Sequence, residues 1–159
     1  MHSLGKAWST GDFKTLSHCV FSELEDSDFS KVRTEHGEVG DLVVYEFSHG
    51  SPSTCISVLF RSQVVYPGYK GLLKVRTQTR EATHVELEAA DMPPAFPLDR
   101  AERSADFGTI GIGGEQYLLP TTAYWFGCFR NSYSCFLNRM DFRDYRRFEA
   151  KSTVRFGDH

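Results

Sequence analysis

The sequence lacks a long hydrophobic run, a strong charge bias and the common catalytic motifs. No apolar segment approaches the roughly 20 residues that an α-helix needs to cross a bilayer, so no transmembrane helix is predicted. The formal net charge is only −3, which gives no electrostatic basis for binding nucleic acid. The G-x-G-x-x-G, P-loop, G-x-S-x-G and H-E-x-x-H patterns are missing, so nothing recommends an enzyme or a bound cofactor.

The first residues, MHSLGKAWSTGDF, also lack the charged region and apolar stretch of a secretory signal peptide. The composition is that of an ordinary globular protein: 159 residues, 40% hydrophobic and 25% charged, which fits one domain over 1–159. Aromatic residues are abundant at 14%, with 13 Phe and 7 Tyr. Such side chains favour the pleated, half-buried surfaces of β-sheets.

One segment near the start has the periodicity of a helix. Phe13, Leu16, Val20 and Phe21 recur at i, i+3, i+7 and i+8, a spacing that puts all four on one helical face. We therefore expect a helix at about 11–21 whose apolar side needs a partner surface.

After residue 26 the apolar period changes from that of a helix to that of a strand. Short connections between alternating segments require antiparallel neighbours, because parallel strands need long crossovers. The expected fold is mainly β (α+β), a curved antiparallel meander of about eight or nine strands with the helix packed on it. The predicted strands are 29–35, 41–49, 55–65, 71–78, 82–90, 104–114, the two arms of 113–148, and 152–156.

The segment 113–148 has two apolar-rich arms around a short polar middle, which is typical of a β-hairpin. If Asn131-Ser132 is a two-residue turn, Cys128 directly faces Cys135. Asn tolerates positive φ, whereas Ser does so less well, and a longer turn with the same midpoint keeps the same register.

Directly opposed cysteines have Cβ atoms close enough for a disulfide. The sequence therefore predicts either a bridge or two opposed thiols at Cys128 and Cys135. A zinc site is disfavoured, because the C-x6-C spacing comes without a second ligand pair. Cys19 and Cys55 remain for a second bridge, although nothing in the sequence fixes the distance between them.

Two groups of polar residues are candidate sites. His84, Glu86 and Glu88 alternate along one strand face, where they either approach a metal ion or form a solvated face. The solvated face is favoured, and no metal site is predicted.

The second group lies near the end of the chain. Asp141, Arg143 and Tyr145 are expected to share a polar strand face. Arg143, Arg146 and Arg147 form a basic cluster that either contacts phosphate headgroups or lines a solvated edge, and the solvated edge is favoured.

A sheet with a covering helix can leave an apolar gap between the two layers, and such a gap would accept an acyl chain. A filled core is the equal alternative.

Several segments together resemble the C-terminal part of uncharacterised exported bacterial proteins of the outer-membrane lipoprotein carrier superfamily, which includes LolA-like and related anti-sigma-factor regulator domains. The most telling motifs are YKG followed by V-x-x-x-T near Tyr69, GEQYLLP near Tyr117, and FRDYRRF at Phe142. The matching segments are 11–21, 28–49, 64–98, 105–125 and 138–156.

This resemblance implies a half-barrel sheet with helices against its concave face. In the carriers, the cavity between them shelters lipid acyl chains. It also implies export to the periplasm, where disulfides persist. The N-terminal helix and first strands expected of the full fold are missing, so the chain resembles either the later part of a longer protein or a shortened relative. No ligand-binding residue carries over position by position.

The expected function is a non-enzymatic periplasmic module for an apolar ligand, a lipid or lipoprotein acyl chain, with peripheral membrane contact. The alternative is a protein-interaction or sensor domain with a filled core and no small-molecule ligand. Neither role involves nucleic acid.

Overall fold

A computed structural model describes residues 28–37, 40–53 and 55–146, and within these ranges the chain is built from strands and turns without an α-helix. The mainly β class is therefore confirmed. The strands are β1 (Asp28–Glu35), β2 (Leu42–His49), β3 (Val58–Phe60), β4 (Gln63–Val65), β5 (Gly68–Arg76), β6 (Ala82–Ala90), β7 (Leu98–Ile112), β8 (Glu115–Phe129) and β9 (Cys135–Asp141).

Seven strands form one sheet in the order β1-β2-β5-β6-β7-β8-β9, and β3 pairs with β4 in a separate hairpin. Every neighbouring pair in the main sheet is antiparallel. The predicted meander is confirmed, since each strand lies beside the one before it except where β3 and β4 are inserted. Within the described ranges the sheet is open, with β1 and β9 at its two edges.

The prediction of one continuous strand over 55–65 is wrong. The chain reverses at Arg61 and Ser62, where Arg61 has a φ of 54°, and β3 and β4 pair across this turn. The sequence pattern does not predict this turn, because apolar residues flank it on both sides and a polar pair without glycine is a weak turn signal. The helix predicted at 11–21 and the strand predicted at 152–156 lie outside the described residues.

Apolar side chains collect on one face of the main sheet, because successive residues of a strand point to opposite faces. One cross-strand row on this apolar face consists of Tyr45, Leu73, Val85, Ala105, Ala123 and Met140. The row displaced by one residue lies on the opposite, polar face and consists of Val44, Lys74, His84, Asp106, Thr122 and Asp141.

The β3–β4 hairpin packs over part of the apolar face. Ile56 and Val58 are fully buried in the same cluster as Val85 and Leu87, together with Leu98 from the start of β7. The core thus sits between the sheet and the segment inserted between β2 and β5, and most of its stability comes from apolar area removed from water.

Candidate ligand-binding face

A group of aromatic rings borders the core without being fully buried. The ring centroids of Trp125 and Phe136 are 4.6 Å apart, those of Phe136 and Phe129 5.9 Å, and those of Phe129 and Phe60 5.4 Å. These four residues, named the aromatic cluster below, run from β8 and β9 to the β3–β4 hairpin. All four pack against the buried core while remaining only partly buried themselves.

Gly127 allows the cluster to form. It pairs with Phe136 across β8 and β9, and a Cβ atom at Gly127 would lie 2.6 Å from Cζ of the Phe136 ring. The absence of a side chain therefore lets the ring lie across β8, where it contacts both Trp125 and Phe129. Glycine in a strand often marks such a close approach.

Trp125 carries a polar atom into this apolar setting. Its indole Nε1 is buried and has no hydrogen-bond partner within the described part of the chain. In the cross-strand register, Trp125 lies between Arg103 on β7 and Asn138 on β9. Buried tryptophan N–H groups usually find an acceptor, so this indole departs from the normal pattern.

Arg103 fixes the segment that enters the β3–β4 hairpin. Its Nη2 donates to the carbonyl oxygen of Ser57 at 2.7 Å, which ties this segment to the apolar face. Just before it, the buried Ser53 Oγ accepts from the backbone N–H of Cys55 at 3.0 Å and of Ile56 at 3.3 Å. The Arg103 contact holds this segment against the sheet, and the Ser53 contacts stabilise the local turn that leads into it.

The predicted cysteine pair is confirmed as a disulfide. Cys128 and Cys135 are directly paired across β8 and β9, and their sulfur atoms are bonded with the Cα atoms 4.1 Å apart. The turn between them has Asn131 at a φ of 56°. Cys55 is also disulfide-bonded, and Cys19, the partner suggested by the sequence, lies outside the described residues.

His84, Glu86 and Glu88 alternate along β6 on the polar face, and Glu88 lies apart from the other two. His84 Nδ1 lies 2.7 Å from Asp106 Oδ1, and His84 Nε2 lies 3.8 Å from Glu86 Oε2. Glu88 instead lies opposite Glu102. No group of three or more potential metal ligands occurs in the described ranges. The contact of Asp106 with His84 is not predictable from local sequence, because it depends on the β6–β7 register.

A shallow groove of about 310 Å3 lies on the same polar face and spans β6 to β9. The Arg100 guanidinium lies 5.3 Å from the centroid of the Phe126 ring, and that of Arg139 lies 5.8 Å from the Tyr124 ring. The protein's own arginines thus occupy the aromatic surfaces, which weakens the case for a ligand here. The groove is lined by Glu86, Arg100, Glu102, Ser104, Tyr124, Phe126 and Leu137.

The predicted polar face at Asp141, Arg143 and Tyr145 is not formed. β9 ends at Asp141, so the alternation does not continue, and the Tyr145 hydroxyl donates to the Pro120 carbonyl at 2.5 Å. Burial raises the pKa of this phenol. Arg143 and Arg146 are exposed, whereas Arg147 lies outside the described residues.

The chain matches no protein-family model, no curated protein and no solved structure. The resemblance to the lipoprotein carriers therefore stays a prediction that rests on sequence segments alone. In the described ranges, no helix is long and apolar enough to cross a membrane.

Proposed function

We propose that this protein is a non-enzymatic binding module that holds an apolar ligand, a lipid or a lipoprotein acyl chain, against the apolar face of its sheet. The observation that carries the proposal is the incomplete burial of the aromatic cluster. Its rings rest on a fully buried layer that includes Val85, Leu87 and Ala105, yet they are themselves only half-buried. Aromatic surfaces of this kind line the pockets that hold apolar molecules.

In this proposal the sheet acts as the half-barrel of a lipoprotein carrier, and the helix predicted at 11–21 covers its apolar face. Cys55 supports that position for the helix. It is disulfide-bonded and only 2% exposed within the apolar-face cluster, so a bridge to Cys19 would tether the helix over the sheet. The disulfides also support an oxidising compartment, the periplasm.

An acyl chain fits this surface better than a polar ligand does. Each methylene group removed from water contributes about 0.8 kcal/mol, so a long chain offsets the cost of association. A polar metabolite would find few hydrogen-bond partners on this surface, because it is formed mainly by aliphatic and aromatic side chains.

The direct test is lipid extraction of the purified protein followed by mass spectrometry, together with displacement of a fluorescent fatty acid. Phe136→Ala should weaken fatty-acid binding, because it removes a ring from the apolar face. Leu137→Ala is the matched control: this neighbour on β9 is 62% exposed and points to the polar face. Circular dichroism verifies that both variants fold.

A folded wild-type protein that neither co-purifies with an acyl ligand nor exchanges one would contradict the proposal. The alternative, a protein-interaction domain with a filled core, is favoured by an exposed apolar surface on the β3–β4 hairpin. Leu59 and Val64 are directly paired there, and both are exposed, as is Tyr66. Under this alternative, replacing Leu59 and Val64 by Ser abolishes binding of a protein partner. Neither the wild-type protein nor this variant then binds a fatty acid.

A further inference from the structure

The unpaired indole of Trp125 is costly to the folded protein. A buried donor without an acceptor costs about 1–3 kcal/mol relative to its hydrated state. The strand that carries it, β8, is paired on both sides with β7 and β9. The ring is further held by Phe136, whose centroid is 4.6 Å away. A ligand atom therefore reaches this N–H only when neighbouring side chains, such as the partly buried Phe136 ring, move aside.

The surrounding side chains do not supply the missing acceptor. Arg103, directly opposite Trp125 on β7, carries only donors in its side chain and donates to Ser57. The rings of Phe136 and Phe129 offer no acceptor oxygen, and the amide oxygen of Asn138, opposite Trp125 on β9, does not bond to this N–H. In the part of the chain that the structure describes, no acceptor hydrogen-bonds to this N–H.

We propose that Trp125 is the polar anchor of the bound ligand. Its Nε1–H donates to an acyl oxygen, the carboxylate of a fatty acid or the carbonyl of an ester or amide, while the hydrocarbon chain lies along Phe136 and Phe129. This inference rests on the proposed function and narrows it. The ligand class becomes an acylated molecule or a fatty acid, not a pure hydrocarbon or an alkyl chain with a quaternary ammonium head.

Nuclear magnetic resonance of the indole N–H tests the contact directly. The chain has 2 tryptophans, Trp8 and Trp125, and Trp125→Phe assigns the two resonances. Adding hexadecanoate should move the Trp125 indole proton downfield, as expected when it gains an acceptor. Hexadecyltrimethylammonium, added below its micelle-forming concentration, has the same chain length but no acceptor, and it should bind without that downfield shift.

Affinities provide the second measurement. A net hydrogen bond of about 0.5–1.5 kcal/mol corresponds to about a 2- to 12-fold change in the dissociation constant. Trp125→Phe should therefore weaken hexadecanoate binding by that factor and leave hexadecyltrimethylammonium binding unchanged. The ratio of the two affinities separates the lost hydrogen bond from a general loss of packing, and thermal melts confirm that the variant folds.

The outcomes distinguish the two proposals. If the wild-type protein binds neither amphiphile, the proposed function fails, and the anchor fails with it. If the wild-type protein binds hexadecanoate, but the indole resonance does not move downfield and Trp125→Phe binds both amphiphiles as tightly as wild type, then the apolar site stands and the role of Trp125 is wrong.

Discussion

The ring of Phe47 lies directly over Gly71 on the apolar face. The two residues are paired across β2 and β5, and a Cβ atom at Gly71 would lie 2.3 Å from Cζ of the ring. From this position the ring stacks on Phe29 at 5.2 Å and meets Tyr69 edge-on at 6.0 Å. The aromatic layer over β1, β2 and β5 thus depends on the absence of a side chain at Gly71.

Gly71→Ala should lower the free energy of unfolding by about 1–3 kcal/mol, the usual effect of overpacking a core. Phe47 is only 3% exposed, so its ring has little room to move away. Gly50→Ala is the matched control, because a Cβ atom there would meet nothing within 4 Å. Urea denaturation measures both variants, and equal stabilities would contradict the close approach.

Replacing Cys128 and Cys135 by serine should destabilise the protein by about 2–3 kcal/mol, since the bridge closes a short loop and removes only modest entropy from the unfolded chain. The sequence separation is 7. A non-reduced peptide digest should contain the two cysteines in one cross-linked fragment. If the double variant unfolds at the same urea concentration as wild type, the bridge has no stabilising role.

Arg130 joins the β8–β9 turn to the connection before β7. Its Nε donates to the carbonyl oxygen of Phe96 at 3.1 Å. Its Nη2 donates to the carbonyl oxygens of Pro93 at 3.2 Å and Leu98 at 3.4 Å. Arg130→Met keeps most of the aliphatic stem and removes the charged donors, so we expect a loss of about 1.5–3 kcal/mol in urea denaturation. Arg143→Met, at an exposed arginine, should leave stability unchanged.

The features that the sequence predicts correctly are local. The two-residue period places most of the strands, and the hairpin midpoint places Cys128 opposite Cys135, because a hairpin register depends only on residues near the turn. The observed disulfide confirms this register, which a tight turn and a longer turn with the same midpoint share.

The features that the sequence does not predict depend on tertiary packing. The turn at Arg61 forms because the hairpin folds back over the apolar face, and that packing stabilises a positive φ that arginine alone disfavours. The His84–Asp106 contact joins residues 22 apart, so it needs the β6–β7 register. The unpaired N–H of Trp125 likewise follows from the order of the strands and not from any motif.

Tyr145 should make stability depend on alkaline pH. Its hydroxyl donates to the Pro120 carbonyl at 2.5 Å, and burial raises its pKa above the ordinary value of about 10. The unfolded chain therefore loses this proton at a lower pH than the folded protein does. The stabilising contribution is fully present below about pH 10 and is lost as the pH rises through the folded pKa.

Tyr145→Phe removes both the hydrogen bond and this pH dependence. Near neutral pH we expect a loss of about 0.5–1.5 kcal/mol, and the gap between wild type and variant should narrow as the pH rises above about 10. Tyr133→Phe is the control, because Tyr133 is fully exposed in the β8–β9 turn. Urea denaturation at a series of alkaline pH values measures the difference, with brief exposure to limit disulfide exchange. A gap that stays constant across the series would show that Tyr145 ionises in the folded protein as it does in the unfolded chain, because only a raised folded pKa makes the two curves converge.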